Sequence, residues 1–395
     1  MKKIAFVIPW FGEKIPGGAE AACRNISKHL KQKGLDVEIL TTCVKEFASD
    51  WNVNYYSEGL DRINNVPVRR FKIRFRNTHA FDQINYKLIN KIKITREEEK
   101  IFFKEMINSP ALYNYIRKNK EKYHCFIFTP YMFGTTYYGI KECPEKSVLI
   151  PCLHDESYAY LESVKEIFEL SRGIIFLSNP EKELAEKLYN IDPIKKEVIG
   201  TGIDVPLNYD SERFIKKYNL KNPFILYAGR KDKGKNVDLL LNYFKKFKLR
   251  NPEYILDLVL IGGGHIDIPV EIKEHVFDLG FVPLQDKYDA FSAAALLCQP
   301  STHESFSIVI MESWICETPV LVNAKCEVTK SFCRQSNGGL YFNDFYEFEE
   351  CIRFILDNKK IAMKLGKQGK NFVNKNFTWD VVSEKYIKFI QNLYD

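Results

Sequence analysis

Three short stretches carry residue types that could bind and move a charged group. The first is Gly17-Gly18-Ala19-Glu20, where two glycines open a helical pattern soon after an apolar run. Glycines at a helix start let backbone N–H groups approach an anion, and the helix dipole favours negative charge there. The second is Gly229-Arg230-Lys231-Asp232-Lys233-Gly234-Lys235-Asn236, four cations in eight residues between the run FILYA and the helical pattern VDLLLNYF. Arg230 can fork two hydrogen bonds onto phosphate oxygens, and Lys235 can add a point charge. The third runs from Ser301 to Glu312 and sets Glu304 and Glu312 eight positions apart, one in a loop and one on the helix that follows. Carboxylates so placed suit the vicinal hydroxyls of a sugar or ribose, and amides at the helix start can hold a diphosphate. A Pro16-Gly17-Gly18 turn or a solvated cationic loop would explain the first two stretches taken alone.

Other chemistries lose their support. Neither the first glycine pair nor Gly262-Gly263-Gly264 has the G-x-G-x-x-G spacing of a dinucleotide fingerprint, which argues against a nicotinamide-dependent oxidoreductase. The 229–236 loop lacks the residue order of a P-loop and carries Asn236 where a hydroxyl would be needed. Ten cysteines include no C-x-x-C pair and no clustered histidine, so a zinc site is not expected. Most lie in apolar segments and read as small buried hydrophobes, reduced and intracellular.

The elements that must position these stretches follow from the length and the patterning. The 395 residues are 45% hydrophobic and 28% charged, globular proportions that leave room for two or three domains. A balance of 58 Lys and Arg against 51 Asp and Glu gives +7, compatible with anionic substrates or a membrane surface and too weak to imply nucleic acid. Continuous apolar runs at Ile4–Pro9, Val37–Thr42, Cys125–Pro130, Ser147–Pro151, Gly173–Ser178 and Glu197–Ile199 predict buried parallel strands. A second series does the same at Phe224–Ala228, Leu256–Ile261, Val276–Leu279, Ala295–Gln299, Pro319–Val322 and Leu340–Phe342. Amphipathic segments fall between them, so the fold class is α/β with two doubly wound, Rossmann-like parallel-sheet domains facing across a ligand cleft. The boundary is set in Val205–Asp210, which gives residues 1–207 and 208–377, with 378–395 forming a closing helix on the first domain. VRRFKIRFR at Val68–Arg76 alternates as a strand with one wet basic face, and Tyr86–Met106 reads as a surface helix. Either could instead rest on an anionic bilayer. The run IAFVIPWF is broken by Pro9 and has no cleavage site, so it reads as a first strand of a cytoplasmic protein.

With the elements in place, the resemblance becomes specific. The Glu304–Glu312 spacing in ESFSIVIMES resembles the E-x7-E motif of retaining glycosyltransferases with the GT-B fold. YAGRKDKGKNVDLL resembles the Gly-Arg…Lys segment of glycosyltransferase family 4 (group 1 glycosyltransferases). PGGAE, IGTGID, LVLIGGG, GGLYF and TWDVV match in consistent order, so the likeness spans nearly the whole chain. It implies that Arg230 and Lys235 neutralise a donor diphosphate, that Glu312 meets the nucleotide ribose, and that Glu304 holds the transferred sugar beside the amides of Phe306 and Ser307. It further implies that the amides of Ile308 and Val309 meet the phosphates, that Gly17 and Gly18 face phosphate or acceptor, and that His154 contacts the donor sugar. Ser307 stands where the family usually has glycine.

The expected activity is a retaining, metal-independent transfer of a hexose from a nucleotide-diphosphate sugar to a glycan or lipid-linked acceptor. Surface polysaccharide biosynthesis is the expected setting, with the basic first domain peripheral on the inner face of the cell membrane. No Asp-x-Asp occurs in the chain, so no metal or other cofactor is expected. A nucleotide-sugar 2-epimerase of similar fold and a non-catalytic nucleotide-sugar binder are the alternatives.

Overall fold

Apolar runs with no polar alternation form strands covered on both faces, and here they do so in two separate sheets. The computed structural model describes residues 2–15, 17–205 and 208–395. It divides into two units: the chain up to Gly202 together with Trp379–Asp395, and Ile203–Thr378. Pro206 and Leu207, the middle of the expected Val205–Asp210 linker, lie outside the described residues.

The first unit begins β1 (Lys3–Ile8), α1 (Gly18–Gln32), β2 (Val37–Thr42), β3 (Gly59–Ile63) and β4 (Val66–Phe71). Three helices follow, α2 (Thr78–Ile89), α3 (Arg96–Glu105) and α4 (Pro110–Asn119). Strands then alternate with helices again: β5 (Tyr123–Phe128), α5 (Gly134–Glu142), β6 (Ser147–Leu149), α6 (Glu162–Leu170), β7 (Gly173–Phe176), α7 (Asn179–Leu188) and β8 (Lys195–Val198). The sheet order is β3-β4-β2-β1-β5-β6-β7-β8, parallel except for the β3–β4 pair. β3 was not expected, because an exposed edge strand of sequence GLDRI has neither an apolar run nor alternation.

Two surface readings change. The basic strand stops at Phe71 rather than Arg76, and of its cations Lys72 is exposed while three arginines are held against the protein. Arg70 is buried with its guanidinium 3.9 Å over the Tyr56 ring, Arg74 pairs with Glu105 at 2.8 Å, and Arg76 lies 4.7 Å from both the Trp51 and Phe81 rings. Tyr86–Met106 is not one helix: α2 ends at Ile89, and a Thr95–Glu98 capping box starts α3.

The second unit contains α8 (Ser211–Lys217), β9 (Phe224–Ala228), α9 (Val237–Arg250), β10 (Asp257–Ile261), β11 (Val276–Asp278), α10 (Leu284–Ala293) and β12 (Leu296–Gln299). It continues with α11 (Ile308–Ile315), β13 (Val320–Asn323), α12 (Glu327–Ser336), β14 (Gly339–Phe342), α13 (Phe345–Asp357) and α14 (Lys359–Asn376). Its sheet is wholly parallel in the order β11-β10-β9-β12-β13-β14. Leu240, Phe244 and Phe247 of α9 bury their face in one core with Ile225, Leu258 and Leu260.

The last helix, α15 (Trp379–Gln391), belongs to the first unit. Trp379 stacks on His29 with ring centroids 4.3 Å apart, and the Tyr386 hydroxyl donates to Gly200 O at 3.4 Å.

Candidate functional site

In the second unit the expected residues gather at the carboxyl ends of neighbouring strands. β9 leads into the 229–236 loop, β12 into 300–307, and β13 ends at Asn323. One backbone oxygen ties the three together: Pro300 O accepts from Asn236 Nδ2 at 3.2 Å and from Asn323 Nδ2 at 3.1 Å. Asn236 does this from a left-handed backbone at φ 57°, which asparagine tolerates better than most residues.

Close backbone approach explains the glycine run that follows β10. Gly262 has φ 118°, and a Cβ there would lie 2.1 Å from Gly229 O. The loop after β10 therefore packs directly on the loop after β9, where Lys231 N donates to Gly263 O at 2.7 Å. Lys231 itself turns inward, buried and paired with Asp278 at 2.9 Å. That cation holds the loop in place, and the side chain of Lys233 lies outside the described residues. Arg230 is 58% exposed, its Nε 3.4 Å from Asp232 Oδ2. Lys235 Nζ pairs with Glu304 Oε1 at 2.7 Å, the lysine 25% and the glutamate 10% exposed.

Glu304 stands just ahead of α11. Ser307 caps that helix at φ 69° and ψ 78°, a left-handed conformation that costs a side-chain-bearing residue about 1–2 kcal/mol. This supplies a backbone reason for a glycine at the position. Gln299, the last residue of β12, is buried with Nε2 3.4 Å from Glu304 Oε1 and 3.5 Å from Ser307 Oγ. The Phe306 ring is a core anchor, edge-on to Phe332 and Phe377 at 5.4 and 5.0 Å, so its amide is what it can offer a ligand. Ile308 and Val309 begin an eight-residue helix, where first-turn N–H groups have no intrahelical acceptor. Further along it, Glu312 Oε1 accepts from Lys287 Nζ at 2.6 Å while its enclosed Oε2 has no partner.

Lys287 and Gln299 escaped the sequence reading for different reasons. A lysine in the amphipathic helix LQDKYDAFSA looks like any solvated one. Gln299 did carry a signal, as the one amide ending the otherwise apolar strand LLCQ.

The first unit holds the remaining three residues. Gly17 has φ 133° at the start of α1, and a Cβ there would lie 2.0 Å from Glu20 Oε2. The Glu20 carboxylate thus rests at the helix N-terminus, its other oxygen accepting from Trp10 Nε1 at 2.5 Å. Gly18 has open space where a side chain would go. Pro16, the first residue of the PGGAE motif, lies outside the described residues. His154 is half-buried in the loop after β6, with its carbonyl accepting from Glu156 N at 2.9 Å. Buried Glu181 clamps this loop, Oε1 accepting from Leu153 N at 2.7 Å and Oε2 from Leu177 N at 2.6 Å. Burial pushes the Glu181 carboxyl up to about 8, against the pull of the backbone donors. Among the described residues no three or more His, Cys, Asp or Glu side chains converge as a metal set, and no helix is long and apolar enough to cross a membrane.

Residues 208–372 match the family of glycosyl transferases group 1. The group 1 segment thus contains Arg230, Lys235, Glu304 and Glu312 and lies within the second unit. A D-inositol 3-phosphate glycosyltransferase from Jonesia denitrificans is 25% identical over 57% of this chain and 58% of its own length. The N-acetylgalactosamine-N,N'-diacetylbacillosaminyl-diphospho-undecaprenol 4-alpha-N-acetylgalactosaminyltransferase of Campylobacter jejuni is 28% identical over 62% of this chain and 65% of its own. The chain therefore spans less than two thirds of either relative. A solved Anabaena structure, Alr3699/HepE in complex with UDP and glucose, matches 99% of this chain and all of that one, with TM-score 0.70 and 14% identity. The two α/β units have the GT-B fold.

Proposed function

We propose that this protein is a retaining, metal-independent glycosyltransferase that moves a hexose from a nucleotide-diphosphate sugar to a glycan or lipid-linked acceptor. The observation that carries this reading is the Lys235–Glu304 pair ahead of the first turn of α11, inside the group 1 segment. The names of the relatives support it: one is a glycosyltransferase named for D-inositol 3-phosphate, the other a transferase named for a diphospho-undecaprenol. The UDP and glucose of the Anabaena complex agree with a nucleotide-sugar donor.

In this mechanism the bond between the sugar's anomeric carbon and the diphosphate breaks, and negative charge grows on the leaving group. Arg230, Lys235 and the amides of Ile308 and Val309 stabilise that charge, a preorganised arrangement that needs no metal or other cofactor. Glu304 accepts from hydroxyls of the sugar, with the amides of Phe306 and Ser307 beside it. Glu312, steadied by Lys287, accepts from the ribose. His154 contacts the sugar, and Gly17 and Gly18 face phosphate or acceptor. The acceptor oxygen attacks the same face the diphosphate leaves, and its proton passes to the departing phosphate oxygen. Retention follows. Assembly of a surface polysaccharide at the inner face of the membrane is the setting that fits a lipid-linked acceptor.

Replacing Glu304 or Lys235 by alanine should each lower transfer at least about 100-fold, the scale of losing one preorganised group at the reacting centre. Turnover is measured alongside circular dichroism to confirm folding. Normal turnover in both folded variants rejects the assignment.

A further inference from the structure

The first unit contains a cation that nothing in the donor chemistry uses. Arg70 lies on β4, directly across from Thr41 of β2 and from Gly59 of β3. Across these three strands the side chains read hydroxyl, guanidinium, none. Arg70 is 3% and Thr41 0% exposed, and a Cβ on Gly59 would meet nothing within 4 Å. A row of this kind leaves space on one side of a buried charge.

The charge is poorly satisfied where it sits. No carboxylate approaches Arg70 within ion-pair distance among the described residues, and Nε and Nη1 are enclosed without a hydrogen-bond partner. Only Nη2 is left uncovered by protein. Thr41 Oγ1 is likewise buried without a partner. The Tyr56 ring 3.9 Å away offers the guanidinium a π face, which attracts the charge but accepts none of its in-plane N–H groups. Asp61, Tyr56 and Cys43 are the titratable groups whose fields reach it. An unmade bond of a buried donor is costly, and a buried cation without a partner costs more. An oxyanion is the complement that a guanidinium fits best, and Nη2 is the donor open to one.

The Tyr56 hydroxyl lies 3.0 Å from where a Cβ on Gly12 would sit, in the loop that leads to Gly17 and Gly18. The Tyr56–Arg70 stack therefore borders the approach to the α1 N-terminus, at the carboxyl ends of β2 and β4. Glu20 already occupies that helix end, and nearby Arg24 spends its guanidinium on Gly12 O and Ile15 O, whereas Arg70 has neither a carboxylate nor a carbonyl on Nε and Nη1.

We propose that Arg70, with Thr41 and Tyr56, is an oxyanion site that holds a phosphate or carboxylate group of the acceptor. The acceptor part rests on the glycosyltransferase reading above; the anion site itself does not. Thr41 supplies a hydroxyl donor, Tyr56 holds the guanidinium plane, and the gap over Gly59 admits the anion.

The test uses the full chain and two probes, inorganic phosphate and glucuronate, which separate the two oxyanion sources. The arginine side-chain Nε–H resonance of Arg70 is assigned by its loss in Arg70→Met and followed during each titration. A saturable shift with phosphate, with glucuronate or with both supports the site and names the source. The same shift is expected in Lys235→Ala, which separates this site from phosphate held in the second unit. An Arg70 resonance that neither anion moves, while other arginine resonances respond, overturns the proposal. Thr41→Val, which keeps the cation and the strand, should weaken the response and guards against a folding defect in the methionine variant. In the transfer reaction Arg70→Met should raise the acceptor KM about tenfold or more and leave the donor KM unchanged. If transfer is absent but the anion still binds at Arg70, the enzymatic reading fails and the site stands.

Discussion

Glu181 shows what a single buried carboxyl can do for a loop. It joins the exits of β6 and β7 by taking one backbone N–H on each oxygen, and so fixes the chain that presents His154. Glutamine has the same shape, but one of its ends is a donor and must face an N–H. Glu181→Gln should therefore cost about 1–3 kcal/mol in urea unfolding, the penalty of a buried N–H left without an acceptor. The pH dependence has a definite sign. A carboxyl raised by burial to about 8 keeps its proton in the folded state where the unfolded chain has lost it. Its contribution is full below the ordinary carboxylate range and fades as pH rises through about 8. Melting temperatures of wild type and Glu181→Gln, followed from pH 4.5 to 8.5, should converge as pH rises; a constant gap contradicts this. The candidate site was legible in the sequence wherever chemistry and spacing coincide, as with Arg230, Lys235, Glu304 and Glu312. Lys287, Arg70 and Glu181 were not, because only the fold supplies their partners: a lysine in an ordinary helix, an arginine in a strand that looked wet, a glutamate in the first turn of α7.

At the scale of elements, the apolar runs named the parallel strands of both sheets except β4, because strands covered on both faces cannot alternate; β4 was read instead from its period-two alternation. The failures share one cause. β3 and the break between α2 and α3 lie at surfaces, where sequence constrains backbone weakly, and Arg70 turns inward from the strand next to that edge. Helix packing was equally hidden, and α14 against α11 is the informative case. A Cβ on Gly366 would sit 1.7 Å from Glu317 O, and one on Gly369 would lie 2.2 Å from the Trp314 ring. These glycines let α14 seat against the helix that carries Glu312. Gly366→Ala must push the two apart, at a cost of about 3 kcal/mol, the upper part of the usual overpacking range. Because α11 moves with it, nucleotide-diphosphate binding should weaken in the folded variant. Urea midpoints and a binding titration on the same samples measure both. Unchanged binding in a destabilised variant would mean that α11 keeps its place without α14.

The whole molecule is two cores with one crossing of the chain back to the start. The buried clusters around Phe126 and around Phe244 share no residue, and the group 1 segment falls inside the second unit. The first unit is discontinuous: α15 completes it, with Trp379 stacked on His29 and a Cβ on Gly202 only 2.3 Å from the tryptophan ring. Truncating a buried tryptophan costs about 3 kcal/mol, which for a unit of this size lowers its melting temperature by roughly 6–12 °C. Calorimetry of the intact chain should then resolve two transitions. On the proposed function, a nucleoside diphosphate should raise the one belonging to the second unit by mass action, as a ligand of the folded form does. Trp379→Ala lowers the other and leaves the ligand-sensitive transition where it was. A single transition moved by both the ligand and the substitution would mean that the two cores melt as one, and α15 would then be a strap across the entire chain rather than part of one unit.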